Sequence, residues 1–567
     1  MKSSHQTESD TTPNGYLKKW WKEVVVYQIY PRSFKDSNGD GIGDLQGITS
    51  QLDYVQGLGV DVVWLSPHYD SPNADNGYDI RDYRKVMTEF GSMADFDELL
   101  KGLKERKIKM IIDLVVNHTS DEHVWFAESR KSKTGRYSDY YIWREGKGDQ
   151  EPNNWVSFFS GSAWKKDPPR NEYYLHLFAE KQPDLNWDNP QVRHEVYDLM
   201  KFWLDKGVDG FRMDVIPFIS KDQAFGDYPK EFANRPEYYH ADGPKLHNYL
   251  QEMNREVSSK YDVMTVGEAF GVTLEQTPLL VDERRQELNM ILHFDAVRLN
   301  RDGWRWKPWT LPDLKAIYSR FDRDLDNHSW STLFLSNHDN PRPVSSFGDD
   351  SPAYRVPSAK VLATMLLTLK GTPFIYQGDE LGMTNYPFSK IEEFDDIEVK
   401  NTWKSEVLTN RLDGQEYLSQ MRKTSRDHSR TPMQWDSSPN AGFTTGSKPW
   451  LAVNPNYQEI NARQELSDEN SIYNYFRQMI ALRKKTPAFV YGDYLDLDPN
   501  HPFLFAYTRT LAPDKYLVTL NFSTQPLEYA LPDGIVAGEL MLSNLGGREE
   551  RVATIHLEGW EARVYRV

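Results

Sequence analysis

Eight short apolar runs, spaced along the chain and separated by segments of helical periodicity, constrain this sequence more than any other feature. They are VVVYQIY at 24–30, VDVVWLS at 60–66, KMIIDLVV at 109–116, VDGFRMDV at 208–215, DVMTVGEA at 262–269, MILHFDA at 290–296, STLFLSN at 331–337 and TPFIYQG at 372–378. Continuous β-branched and aromatic runs, rather than alternating ones, mark strands buried on both faces, as in parallel sheets. Between them, MADFDELLKGLKERK at 93–107 and PQVRHEVYDLMKFWLDKG at 190–207 carry the apolar spacing and charged faces of crossover helices. Any one run also fits a buried helix segment; eight in alternating order do not. The expected fold class is α/β, a (β/α)8 TIM barrel.

A chain of 567 residues exceeds one barrel of about 250 residues, so further modules are expected. After Asn117 the stretch 118–187 is rich in Trp, Tyr, Phe, Pro and Lys and has no crossover helix. A barrel loop of that length is usually functional, and an inserted subdomain overhanging the mouth is expected there. From 491 to 567 short alternating runs, FLFAYTRT, YLVTLNFS and EGWEARVYRV, are separated by turn residues, which reads as a C-terminal antiparallel β-sandwich. The barrel then takes 18–117 and 188–490, and residues 1–17 are expected to be disordered.

Composition narrows the function classes. A formal net charge of -17 argues against nucleic acid or an anionic membrane as partner, since both need clustered Lys and Arg. With no cysteine, disulfides, thiol catalysis and zinc–thiolate sites are excluded. No apolar stretch approaches the roughly 18 residues of a membrane span, and the start lacks the apolar core of a signal peptide. The expectation is a monomer acting on a small molecule, either cytoplasmic or periplasmic after removal of a leader.

Three carboxylates mark the candidate site: Asp214 in GFRMDV, Glu268 in VMTVGEAF and Asp339 in LFLSNHDN. Each closes an apolar run, and the C-terminal ends of barrel strands are where such folds place their chemistry. Two acids are the minimum equipment for breaking a glycosidic bond. Arg212, two residues before Asp214, points the same way along a strand, and a guanidinium there keeps a nucleophilic carboxylate ionised. Glu268, at a largely apolar strand end, is expected to have its pKa raised by desolvation, as a general acid needs. Each acid taken alone also fits a helix cap or a rim ion pair.

Two further features have a structural and a functional reading. DSNGDGIGD sets Asp36, Asn38, Asp40, the Ile42 carbonyl and Asp44 at alternating positions that suit a structural Ca2+. It is not an EF-hand loop, since position 12 is Gly47, and a Gly-rich turn held by Asx hydrogen bonds is the alternative. Phe270 and Phe294 are expected to face the barrel mouth, where they either pack as plain core or shape an acceptor pocket.

With DLVVNH, GFRMDV, GEAF and SNHDNPR in order on successive strands, the sequence resembles the α-amylase superfamily of retaining glycoside hydrolases and transglycosylases (glycoside hydrolase family 13). The resemblance runs from VVYQIYPRSFKDSNGDGIGDL through QPDLNW to SRDHSRTPMQW, and QPDLNW with Val215 after Asp214 is similar to the oligo-1,6-glucosidase and sucrose isomerase branch. It implies Asp214 as nucleophile, Glu268 as general acid/base and Asp339 as transition-state stabiliser. It implies a glucosyl-binding set of His118, Phe178, Gln182, Arg212 and His338. Asp75 and Tyr78 would close that pocket, with Asp75 paired to Arg426 or Arg430, so that only a terminal glucose enters.

Within the branch, GEAFGVTLEQ and ELNMILHFDAVRLNRD resemble the sucrose isomerases. That implies an aromatic clamp of Phe270 and Phe294, and Arg298 and Arg301 as the first and last residues of an RLDR-type loop that contacts fructose. Asn300 stands where that loop usually has Asp, and Ala269 where a larger apolar residue is usual. The implied activity is conversion of sucrose to isomaltulose or trehalulose with some hydrolysis, without an organic cofactor. The alternatives are an exo-acting α-glucosidase of the same branch and a non-catalytic binding subunit.

Overall fold

The eight strands expected from the sequence are present in the computed structural model, which describes residues 10–547 and 552–567. They are Val26–Ile29, Val62–Leu65, Lys109–Val115, Gly210–Asp214, Met264–Glu268, Met290–Leu292, Thr332–Leu333 and Thr372–Tyr376. All neighbours pair in parallel, in the order sixth, fifth, fourth, third, second, first, eighth, seventh. The sixth and seventh strands, at the two ends of that order, share no backbone ladder; the Thr332 hydroxyl donates to the Ile291 carbonyl at 2.8 Å and joins them. The seventh strand is much shorter than the run 331–337. Phe334 remains buried, in the cluster with Met290, Leu292 and Trp330, so the burial that gives the run its strand-like composition outlasts its hydrogen bonding.

Local chemistry sets the crossover helices. Met93–Glu105 begins at a capping box in which Ser92 and Asp95 satisfy each other's backbone N–H groups. It buries Phe96, Leu99, Leu100 and Leu103 against the barrel, and truncating Phe96 to Ala should cost about 3–5 kcal/mol. Pro190–Lys206 starts with Asn189 as cap and Pro at its first position, and ends at Gly207 with φ 106°. A side chain is strained in that left-handed conformation, which stops the helix there.

The inserted segment forms a three-stranded antiparallel sheet of Trp143–Arg144, Glu172–Leu175 and Trp164–Asp167. Its aromatic core, including Trp155 and Trp164, also takes Phe225 and Tyr228 from beyond the fourth strand, which ties the overhang to the barrel mouth. After Tyr491, a five-stranded antiparallel sheet packs over a two-stranded one, Leu527–Ala530 with Thr554–Leu557, around Leu504, Leu517 and Leu557.

The N-terminal expectation is corrected for residues 10–17. Thr11 bridges Leu17, and buried Tyr16 packs against Trp330 and Tyr491 with ring centres 5.8 and 6.0 Å apart. One aromatic in a polar stretch carries no periodic signal, so its docking is not legible locally. Residues 1–9 lie outside the described residues. Among the described residues no helix is long and apolar enough to cross a membrane.

Candidate active site

The strand ends open into one cavity of about 790 Å³. Asp214 closes the fourth strand, Glu268 the fifth, and Asp339 follows the seventh; all three line the cavity. Beneath them Arg212 Nη1 lies 2.8 Å from Asp214 Oδ1 and 2.5 Å from Asp113 Oδ1, and its Nη2 lies 2.8 Å from Glu268 Oε2. One guanidinium therefore serves three carboxylates. The Val215 N–H also donates to Glu268 Oε2 at 2.9 Å. To aim it, Val215 takes a left-handed conformation, φ 34° and ψ 39°, which strains a β-branched residue by about 1–3 kcal/mol.

This arrangement corrects the expected division of the two acids by environment. Glu268 does not sit in apolar surroundings; it touches the same guanidinium as Asp214. Burial pushes the Asp214 carboxyl well above the usual range, Arg212 opposes it, and the charges of Glu268 and Asp113 add to the rise. Asp113 is likewise raised, to about 6, by burial against the pull of Arg212. Burial and the crowding of negative charge around one guanidinium thus favour the protonated forms of Asp214 and Asp113.

Asp339 is held the other way. Burial alone would raise it, but His338, Arg426 and Arg430 outweigh burial and keep its carboxyl well below the usual range. Arg430 Nη2 lies 2.7 Å away, Arg426 Nη1 3.3 Å and His338 Nε2 3.2 Å. His338 is fixed by stacking between Tyr78 (5.2 Å, 5°) and Tyr30 (5.8 Å, 13°). Asp339 is thus a permanent negative charge on the cavity wall, suited to a developing positive centre.

Asp75, Tyr78, His118 and Phe178 line the closed end. Arg426 rather than Arg430 faces Asp75, but only at 3.9 Å, because it is engaged with Asp396, whose Oδ2 lies 2.9 Å from Arg426 Nε. Asp75 Oδ2 accepts instead from Gln182 Nε2 at 3.1 Å. Burial pushes the Asp75 carboxyl up to about 7, against Arg426 and Arg430. Gln182, Arg212, His338 and Arg430 do not reach the cavity surface; they stand behind and hold the residues that do.

On the opposite side Phe270 and Phe294 meet at 5.6 Å. The Arg298 guanidinium lies over both rings, 4.3 and 5.3 Å from their centres. Arg301 Nη2 donates to Asn340 Oδ1 at 2.5 Å, and burial with the nearby Arg298 charge lowers its pKa to about 9. The absent acid at 300 is therefore not what holds Arg301; Asn340 does. Buried Asn300 contributes its carbonyl to Lys307 N at 2.9 Å.

Asp113 and Glu398 are among the acids of the site that were not singled out from the sequence. Asp113 was visible as a lone charge inside an apolar strand run, a signal of buried pairing. Glu398, which lines the cavity and whose carboxyl is raised by burial and by Asp396, lay in the acidic run EEFDDIE, indistinguishable there from a solvated face.

The loop at 36–44 is closed by its own hydrogen bonds. Asp36 accepts from the N–H groups of Asn38, Gly39 and Gly41, and Asp44 from Ser37 and Gly47. Among the described residues no group of three or more His, Cys, Asp or Glu is placed to hold a metal. The donor set at this loop is thus two buried carboxylates, the exposed Asn38 and Asp40, and the Ile42 carbonyl, all oxygen, as Ca2+ prefers.

The alpha-amylase catalytic-domain profile matches residues 28–492. The chain is 55% identical to an oligo-1,6-glucosidase of Parageobacillus thermoglucosidasius, covering 97% of this chain and 99% of that one. It is 51% identical to an oligo-1,6-glucosidase of Bacillus cereus, over 97% and 100%. Among solved structures, the isomaltulose synthase SmuA from Protaminobacter rubrum superimposes with a TM-score of 0.95 at 52% identity, over 97% and 99%. The trehalulose synthase MutB from Pseudomonas mesoacidophila MX-45 gives a TM-score of 0.95 at 50% identity, over 97% and 99%.

Proposed function

The chain belongs to the alpha-amylase family, glycoside hydrolase family 13, and from that premise we propose that it is a sucrose isomerase. The observation that carries the reading is the acceptor side of the cavity, where Phe270 and Phe294 meet at a tilt and Arg298 lies over both rings, lining the same cavity as the acids.

Sucrose binds with its glucosyl ring at the closed end, against Asp75, Tyr78 and His118. Glu268 protonates the bridging oxygen as Asp214 attacks the anomeric carbon, giving a covalent glucosyl-enzyme and free fructose. Asp339 stabilises the oxocarbenium-like transition state. Fructose retained between the rings and the arginines then attacks through its 6-hydroxyl, giving isomaltulose, or its 1-hydroxyl, giving trehalulose. Its hydroxyl proton returns to Glu268, and two inversions restore the α configuration. The aromatic unit keeps fructose at high effective concentration and excludes water.

The second reading is an α-1,6-glucosidase that hydrolyses short glucosides at the same acids, favoured by identity to the two oligo-1,6-glucosidases. Incubation with sucrose and chromatography of the products separates the two. Isomaltulose or trehalulose as major product supports the isomerase; glucose and fructose, or cleavage of isomaltose alone, overturns it in favour of the glucosidase.

We further propose a structural Ca2+ held by Asp36, Asn38, Asp40, the Ile42 carbonyl and Asp44, away from the chemistry. A chelator should then lower Tm, with recovery on adding Ca2+; an unchanged Tm would mean that the Asx bonds alone hold the loop.

A further inference from the structure

We propose that Lys221, which does not reach the cavity, sets which nitrogen of His118 carries the proton, and so fixes His118 as the donor that holds the Tyr78 backbone in the pocket wall. The inference rests on the glucosyl pocket proposed above.

Lys221 follows the fourth strand and is fully enclosed. Its Nζ lies 2.7 Å from Asp184 Oδ2 and 2.5 Å from Asn117 Oδ1. Asp184 belongs to the segment returning from the inserted subdomain, and Asn117 to the end of the third strand. A buried ion pair by itself is a structural device. What makes this one more is the amide standing between it and His118.

An ammonium only donates and an ionised carboxylate only accepts. With Lys221 against one end of the Asn117 amide and Asp184 against the other, the amide has one allowed orientation: Oδ1 to Lys221, Nδ2 to Asp184 Oδ2 at 3.2 Å. The second hydrogen of Nδ2 then points at His118 Nδ1, 3.1 Å away. That nitrogen must accept, so the proton of the neutral ring sits on Nε2. Burial lowers the His118 pKa to about 4, which keeps the ring neutral at ordinary pH.

His118 Nε2 donates its proton to the Tyr78 carbonyl at 3.2 Å. Gln182 Nε2 lies 3.2 Å from it. That amide is also fixed, with Oε1 accepting from Ala179 N at 2.9 Å and Nε2 donating to Asp75. Two nitrogens that both carry hydrogen do not bond each other. They converge instead on the Tyr78 carbonyl, 3.2 Å from His118 Nε2 and 3.4 Å from Gln182 Nε2, and so hold the backbone of the residue that closes the pocket. Lys221 is thus a positioning residue acting through Asn117.

The test is the nitrogen spectrum of the full chain labelled with 15N-histidine, with the His118 signals identified by their loss in His118→Asn. The expected wild-type result is an unprotonated Nδ1 and a protonated Nε2. Asn117→Asp keeps the shape but offers only acceptors, so Nδ1 must gain the proton. In that variant kcat/KM for an aryl α-glucoside should fall about 10- to 100-fold at neutral pH, mainly through KM. The defect relative to wild type should shrink as pH falls, because a doubly protonated ring donates from Nε2 again. Lys221→Met, by freeing the amide, should raise the share of the Nδ1-protonated ring above that in wild type, with the Tyr78 carbonyl still favouring a proton on Nε2. A wild-type ring protonated at Nδ1, or an Asn117→Asp spectrum like that of wild type, would overturn the proposal. If the wild type released no glucose from any glucoside, the functional reading would fall while the spectrum still decided the tautomer.

Discussion

The two ends of the cavity are built on opposite principles. At the closed end opposite charges and stacked rings set the positions: Asp339 lies among His338, Arg426 and Arg430, and His338 between two stacked rings. On the acceptor side Arg298 rests on ring faces, and its buried Nε has no hydrogen-bond partner. Directional bonds specify one ring in one pose; ring faces retain a guest while leaving it free to turn. On the proposed reading, the contrast teaches that donor identity is decided by geometry and product identity by residence.

Substitutions sharpen that contrast in order of expected effect. Asp214→Asn should remove glucosyl-enzyme formation and lower kcat by about four orders of magnitude or more; single-turnover trapping of the intermediate checks it, and normal turnover would break the scheme. Asp75→Asn should cost about 10- to 100-fold in kcat/KM above neutral pH. Because the wild-type carboxyl titrates at about 7, kcat/KM should rise with pH through neutrality as it becomes able to accept from the sugar. The variant should lose that limb. The same rise in pKa on folding means that the stability Asp75 contributes is present below its unfolded pKa of about 3.9 and lost as pH climbs through 7, so the variant's melting profile should be flatter there.

Effects on the open side should appear in products rather than in rate. Phe270→Ala or Phe294→Ala should raise glucose and fructose release relative to disaccharide by about 10-fold, within a few-fold of wild-type consumption; an unchanged ratio would remove the clamp from the argument. Asn300→Asp should change the product ratio least, about 2-fold, since Arg301 already has Asn340 as a partner. A large change would show that the arginines, not the rings, retain the guest.

The legible part of the site was the part written in local pattern. Strand ends placed Asp214, Glu268 and Asp339, because a buried parallel strand must be apolar until it reaches the mouth. What escaped was pairing at long range. Asp113 shares Arg212 with two other acids from neighbouring strands, and no spacing along one segment reveals three carboxylates around one guanidinium. The sharing also undid the expected assignment of Glu268 by desolvation, which presumed an apolar neighbourhood. The preference of Arg426 for Asp396, at 2.9 Å, over Asp75, at 3.9 Å, is likewise a competition between partners far apart in sequence.

One detail of the barrel wall bears on all of this. The wall is a continuous ladder except between Met290–Leu292 and Thr332–Leu333, which a single hydroxyl bridges. Phe294 follows the first of these strands and Asp339 the second, so the clamp and the stabilising charge sit on opposite lips of the one slit in the staves. Asp214 and Glu268 lie on adjacent, fully laddered strands. On the proposed reading, breathing along that slit would slacken the grip on a guest before it disturbed the cleaving pair, making temperature a dial on what is produced well before it becomes a threat to survival.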